Sequence, residues 1–127
     1  MKLKTSIAIG VALLAQAPLS AATIVGLFNT GTDAANVALA GGNGVTDPHY
    51  TILSSTSVGF AGQQAVTYFN GAYVAEDADS RWISLSSSGN PGGNTTVYRL
   101  TFDLTGLNAA TATLSGLGGT DNAVLLA

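Results

Sequence analysis

Residues 95–104 read TTVYRLTFDL, and their alternation decides the fold class. Tyr98, Leu100, Phe102 and Leu104 fall on one side of an extended chain, while Val97, Arg99, Thr101 and Asp103 fall on the other. A period of two marks a half-buried β-strand, because successive side chains of a strand point to opposite faces. Long helical periodicity is absent from the rest of the chain. Shorter β-branched and aromatic runs lie at residues 23–28 (TIVGLF), 49–55 (HYTILSS), 65–69, 72–75, 80–86 (SRWISLS), 111–114 and 123–126. Together they make about eight strands. Clusters of Gly, Asn and Ser separate them, and residues 87–94 (SSGNPGGN) can only be loop. Asn70-Gly71, between two of the runs, predicts a type I′ hairpin. Residues 33–41 read either as one or two helical turns, with Asp33 as N-cap and Gly41 as stop, or as loop. The expected architecture is an all-β antiparallel sandwich.

The start of the chain has a different character. Lys2 and Lys4 precede nine apolar residues at 7–15 (IAIGVALLA), then Pro18 and the small residues Ser20, Ala21 and Ala22. This is the three-part pattern of a secretory signal peptide cleaved after Ala22. The apolar run is far shorter than the roughly 20 residues a membrane span needs. Residues 1–22 are therefore read as a leader and 23–127 as one domain, exported by a bacterium and placed outside the cell or on its surface.

In that domain Gly, Thr, Ser and Asn account for 46 of 105 residues. The chain has no Cys, which excludes a disulfide framework, a thiolate zinc site and a cysteine nucleophile. Beyond the leader only Arg81 and Arg99 stand against seven acids, a net charge of −5. Such a surface repels phosphate backbones, so nucleic acid is not an expected partner. Hydrophobic residues make up 46% and charged residues 9%, which argues against disorder. The last residues, 123–127 (AVLLA), run apolar up to the carboxylate. A core strand ending there would set an ionised terminus among apolar neighbours, so this segment reads as an exposed edge or, preferably, as a sign that the sequence is a fragment.

Catalysis needs convergent groups of tuned acidity. His49 is the only His and Glu76 the only Glu, and no nucleophile elbow or metal-spaced cluster is present, so an enzyme is not expected. Asp47-Pro48-His49-Tyr50 sits where a loop enters a strand. Pro48 fixes the turn and Asp47 is placed to accept backbone N–H groups; alternatively Asp47 and His49 contact a ligand. His49 is expected to face away from Tyr50 and Ile52. Glu76, Asp77 and Asp79 precede Arg81-Trp82 and form a solvated acidic loop or a weak Ca²⁺ site, for which Asp47, Asp77 and Asp79 are the candidates. Arg81 is expected to pair with one of these acids or with Asp103. Trp82 lies either on the wetter face of its strand, as a flat platform for sugar C–H groups, or in the core. Asn94-Thr95-Thr96 matches a glycosylation acceptor, a triplet common by chance.

Taken in order, Asp47-Pro48-His49-Tyr50, Ser80-Arg81-Trp82-Ile83, Tyr98-Arg99 through Thr101-Phe102-Asp103-Leu104-Thr105-Gly106, Ala112-Thr113-Leu114-Ser115-Gly116 and Asp121-Asn122 resemble the exported domain of bacterial PEP-CTERM proteins, the substrates of exosortase-type sorting. The resemblance runs from about Phe28 to the end and is poor between Val58 and Ala75. Residues 98–104 with Thr113-Leu114 and residues 120–126 are also similar to galactose-binding-like jelly-roll modules. Their next element, an Asn-Gly turn, is missing here, as is the Pro-Glu-Pro tail through which membrane anchoring would come. The resemblance implies a non-catalytic module at the cell surface or in exopolysaccharide matrix, with Trp82, Arg81, His49 and Asp47 as candidate ligand contacts and polysaccharide as the candidate partner. Two alternatives stand beside it: a structural surface protein without glycan binding, and the accessory N-terminal module of a larger glycoside hydrolase.

Overall fold

The computed structural model describes residues 24–120. These form an all-β structure around one antiparallel sheet, with no α-helix among the described residues. The strands are β1 (Thr46–Ser55), β2 (Gln64–Thr67), β3 (Ile83–Ser84) and β4 (Thr96–Arg99), in the order β3-β2-β1-β4. β1 is longest and central: Thr51 stands opposite Gln64 on one side and Arg99 on the other. Its pairing with β2 shifts register between Thr46 and Thr51, and its pairing with β4 shifts between Ile52 and Ser54. Each irregularity bends a strand and increases its twist, so the sheet curls.

Ile52, Ala65 and Leu85 are the buried apolar side chains, with Thr67 and Ser84 buried beside them. Of the run 95–104 only Thr96–Arg99 is strand, and the expected alternation holds as far as Thr101 but breaks at Phe102, which is exposed. Thr96, Tyr98 and Leu100 are half-buried, whereas Val97, Arg99 and Thr101 are exposed. Beyond β4 the chain continues to Asp103, which bridges Val25.

The described sheet has four strands rather than the expected eight. Of run 23–28, Val25 makes one isolated bridge. Residues 72–75 form no strand and the type I′ hairpin is absent. Neither Asn70 nor Gly71 has the positive φ that turn requires. Instead the Tyr73 N–H donates to the Asn70 carbonyl at 2.8 Å and the Ala72 N–H to the Asn70 side chain at 3.1 Å. β2 takes β1 and β3 as neighbours, which leaves no edge for a hairpin partner. Residues 33–41 are loop, not helix: Thr32 bridges Ala38, Asn36 sits at φ +60°, and the Asp33 carboxylate caps the Ala35 and Val37 N–H groups of a turn. Ala109–Thr111 forms a 3-10 turn capped by Asn108, and Leu114 is exposed, so run 111–114 is not a strand. The expected leader, residues 1–22, and run 123–126 lie outside the described residues.

Candidate functional site

Asp47 is completely buried at the entry to β1. One carboxylate oxygen accepts the Gly31 N–H at 2.7 Å, and the other accepts the N–H groups of His49 at 2.7 Å and Tyr50 at 3.1 Å. A buried carboxylate must be compensated by donors, and three backbone amides do so here. The loop at 29–31 is thereby tied to the sheet. Gly31 is buried at φ +64°, and a Cβ there would collide with the Arg81 side chain.

Arg81 lies across this loop. Its backbone N–H donates to the Thr30 carbonyl at 2.8 Å, and its carbonyl accepts the Thr30 hydroxyl at 2.7 Å. The guanidinium pairs with Glu76 at 2.6 Å and donates to the Leu39 carbonyl at 3.2 Å. Its partner is thus one of the acidic cluster, and Asp103 is not involved. The second Glu76 oxygen accepts the Trp82 N–H at 3.0 Å, so Glu76 grips both ends of the Arg81-Trp82 step. A groove of about 260 Å³ beside the pair is lined by Gly41, Gly42, Asn43, Thr67, Phe69, Glu76 and Arg81. The Asn43 side chain is itself bound at both ends to the Phe69 backbone.

Trp82 is half-buried. Its indole N–H donates to the Val74 carbonyl at 2.9 Å, Tyr73 packs on it at 5.1 Å and 50°, and Gly119 approaches so closely that a Cβ would lie 2.5 Å from the ring. Tyr68 meets Tyr73 edge-on at 6.2 Å. The indole is therefore one member of an aromatic cluster, intermediate between an open platform and a core residue.

Asp77 and Asp79 are exposed. Asp77 accepts the Ser80 hydroxyl and the Asp79 N–H, each at 2.9 Å, and these bonds hold its carboxyl below the usual carboxylate value. Among the described residues no three His, Asp or Glu side chains are grouped to hold a metal ion.

His49 projects from β1 with Thr51, on the opposite side from Tyr50 and Ile52. Its ring lies flat on Phe28, with centroids 3.6 Å apart and planes 6° from parallel. Its Nε2 is 3.1 Å from the Asp33 carbonyl. A carbonyl only accepts, so Nε2 is the donor of this bond. Tyr50, on the other side, donates its hydroxyl to the Phe28 carbonyl at 3.0 Å. Burial, and the neighbouring Asp47 charge after it, push the Tyr50 hydroxyl above its ordinary value.

These contacts build an open cleft of about 220 Å³ lined by Gly26, Phe28, Pro48, His49, Thr51, Arg99, Leu100 and Thr101. Gly26 makes it possible: at φ +84° it passes so near the Thr101 carbonyl that a Cβ would stand 2.9 Å away. The cleft joins His49, a candidate read from the sequence, to Phe28, Arg99 and Thr101, which were not. The outward facing of Arg99 and Thr101 was legible in their alternation. Their meeting with His49 depends on β1 pairing with β4, which no local pattern announces. Asp47, Arg81 and Trp82 lie in the loop-anchoring network described above.

Comparison with protein-family models, curated proteins and solved structures finds no match to this chain. No helix among the described residues is long and apolar enough to cross a membrane.

Proposed function

We propose that this protein is an exported, non-catalytic β-sandwich module of jelly-roll type, displayed at the bacterial cell surface or in exopolysaccharide matrix, where it binds carbohydrate. The observation that carries the reading is the Phe28–His49 stack in the wall of the cleft. A flat ring pair beside hydroxyl and guanidinium donors suits a sugar, whose C–H face is apolar and whose rim is polar. The volume is below the roughly 300–1,000 Å³ of drug-sized pockets, as befits one sugar unit of a polymer. A non-catalytic role is supported by the single histidine, whose Nε2 is held by a carbonyl rather than a nucleophile.

The test is retardation of the protein in gels cast with a panel of neutral and acidic polysaccharides. At least one polymer should retard it, and Phe28→Ala should weaken that retention about tenfold, the share expected of one aromatic contact. Far-UV circular dichroism should be unchanged by the substitution. Retardation by no polymer would sink the binding reading. The second reading, a structural surface protein without a glycan ligand, would then stand. It is favoured by the internal commitment of Asp47, Arg81 and Trp82.

A further inference from the structure

Only two cations occur beyond the leader, and they differ sharply. Arg81 is half-buried and paired with Glu76 at 2.6 Å. Arg99 is exposed at the end of β4, and its guanidinium has no ion-pair or hydrogen-bond partner among the described residues. It lines the same cleft as the Phe28–His49 stack. Opposite it across the sheet stands Thr51, whose hydroxyl donates to Gln64 at 2.8 Å. The Thr101 hydroxyl, two residues beyond Arg99, has no hydrogen bond among the described residues.

We infer that the cleft selects a carboxylate-bearing sugar, with Arg99 as the residue that recognises the uronate group. This rests on the carbohydrate reading above and narrows it. A guanidinium presents a rigid planar fork that matches a carboxylate with two parallel hydrogen bonds. The ring of such a sugar lies over the Phe28–His49 pair, and its hydroxyls reach the Thr101 hydroxyl. The acidity of the chain does not oppose this, because the acids near the cleft are engaged by backbone N–H groups and none of them pairs with Arg99. The Asp33 carboxylate is held by the Ala35 and Val37 N–H groups. The Asp103 carboxylate accepts the Thr105 N–H at 2.7 Å and forms no ion pair with Arg99.

The deciding experiment compares polygalacturonate with its fully methyl-esterified form, which keeps the backbone and removes the charge. Binding of the full chain, Arg99→Gln and Arg99→Lys is measured on both, beside the neutral panel. The expected result is retention on polygalacturonate that falls about tenfold or more on methyl esterification and equally in Arg99→Gln, with Arg99→Lys in between. On the esterified polymer the variants and the parent should bind alike. Equal binding of parent and Arg99→Gln to both polymers, or binding confined to neutral polysaccharides, overturns the uronate inference and leaves the carbohydrate reading intact. Binding to nothing in either set overturns both. Unchanged Trp82 fluorescence in the variants shows that the fold is retained.

Discussion

At Gly31 the backbone runs left-handed while its N–H reaches the buried Asp47 carboxylate and its α-carbon lies under Arg81. Three demands meet on one residue: a positive φ, no Cβ, and a free amide. Only glycine meets the first two without strain. Gly31→Ala should therefore lower stability by on the order of 3 kcal/mol, combining left-handed strain with overpacking against Arg81. The loss should appear as a shifted urea midpoint with an unchanged slope. A midpoint equal to that of the parent would show that the 29–31 loop does not hold Asp47. Asp47 was legible as a turn residue from its place before Pro48, although its most distant partner was not. Nothing in residues 29–32 (NTGT) marks Gly31 apart from other glycines until the chain has folded back on β1.

The strands separate what local pattern dictates from what pairing dictates. The alternation of 95–104 held from Thr96 to Thr101 and failed at exposed Phe102, past the end of the pairing with β1, whereas the loop at 87–94 fell between β3 and β4 as expected. β1 and β2 were likewise legible within a few residues of their bounds. Asn70-Gly71 misled because a hairpin needs a free strand edge as well as a turn, and β2 already lies between β1 and β3. The cleft was hidden for the same reason, since it exists only where β1 meets β4 and Gly26 closes on Thr101. One substitution tests the corrected turn. Gly71 has no positive φ, and a Cβ there meets nothing within 4 Å. Gly71→Ala should be neutral or stabilise by up to about 1 kcal/mol, through the lower entropy of the unfolded chain. In a type I′ turn the same change would force alanine to positive φ and destabilise. A lowered melting temperature in Gly71→Ala would thus restore the hairpin.

Across the whole molecule, Ile52, Ala65 and Leu85 are the buried apolar side chains of the described residues, so titrating groups at their margin weigh heavily in the balance. On the acid side, hydrogen bonds lower the carboxyls of Asp77 and Asp103, Asp77 chiefly through Ser80 and Asp103 through Thr105. Their folded values lie below the unfolded ones. The contribution is therefore present above the ordinary carboxylate range and fades as pH falls through the folded values. Both groups are fully exposed, which keeps this limb shallow. The alkaline limb should be the steeper. Burial raises the hydroxyls of Tyr50 and Tyr98 above 10.0, with the Asp47 charge adding at Tyr50 and the Ser84 hydroxyl opposing at Tyr98. Here the folded state holds its proton longer than the unfolded chain. This contribution is complete below pH 10 and is lost as pH climbs from there through the folded values. Absorbance of tyrosinate should show Tyr50 and Tyr98 ionising above the ordinary tyrosine value and together with unfolding. Tyr98→Phe should remove one of the late pair and flatten the fall in melting temperature above pH 10. An alkaline fall in melting temperature left unchanged by Tyr98→Phe would mean that β4 does not bury Tyr98, and the β1–β4 pairing that forms the cleft would fall with it.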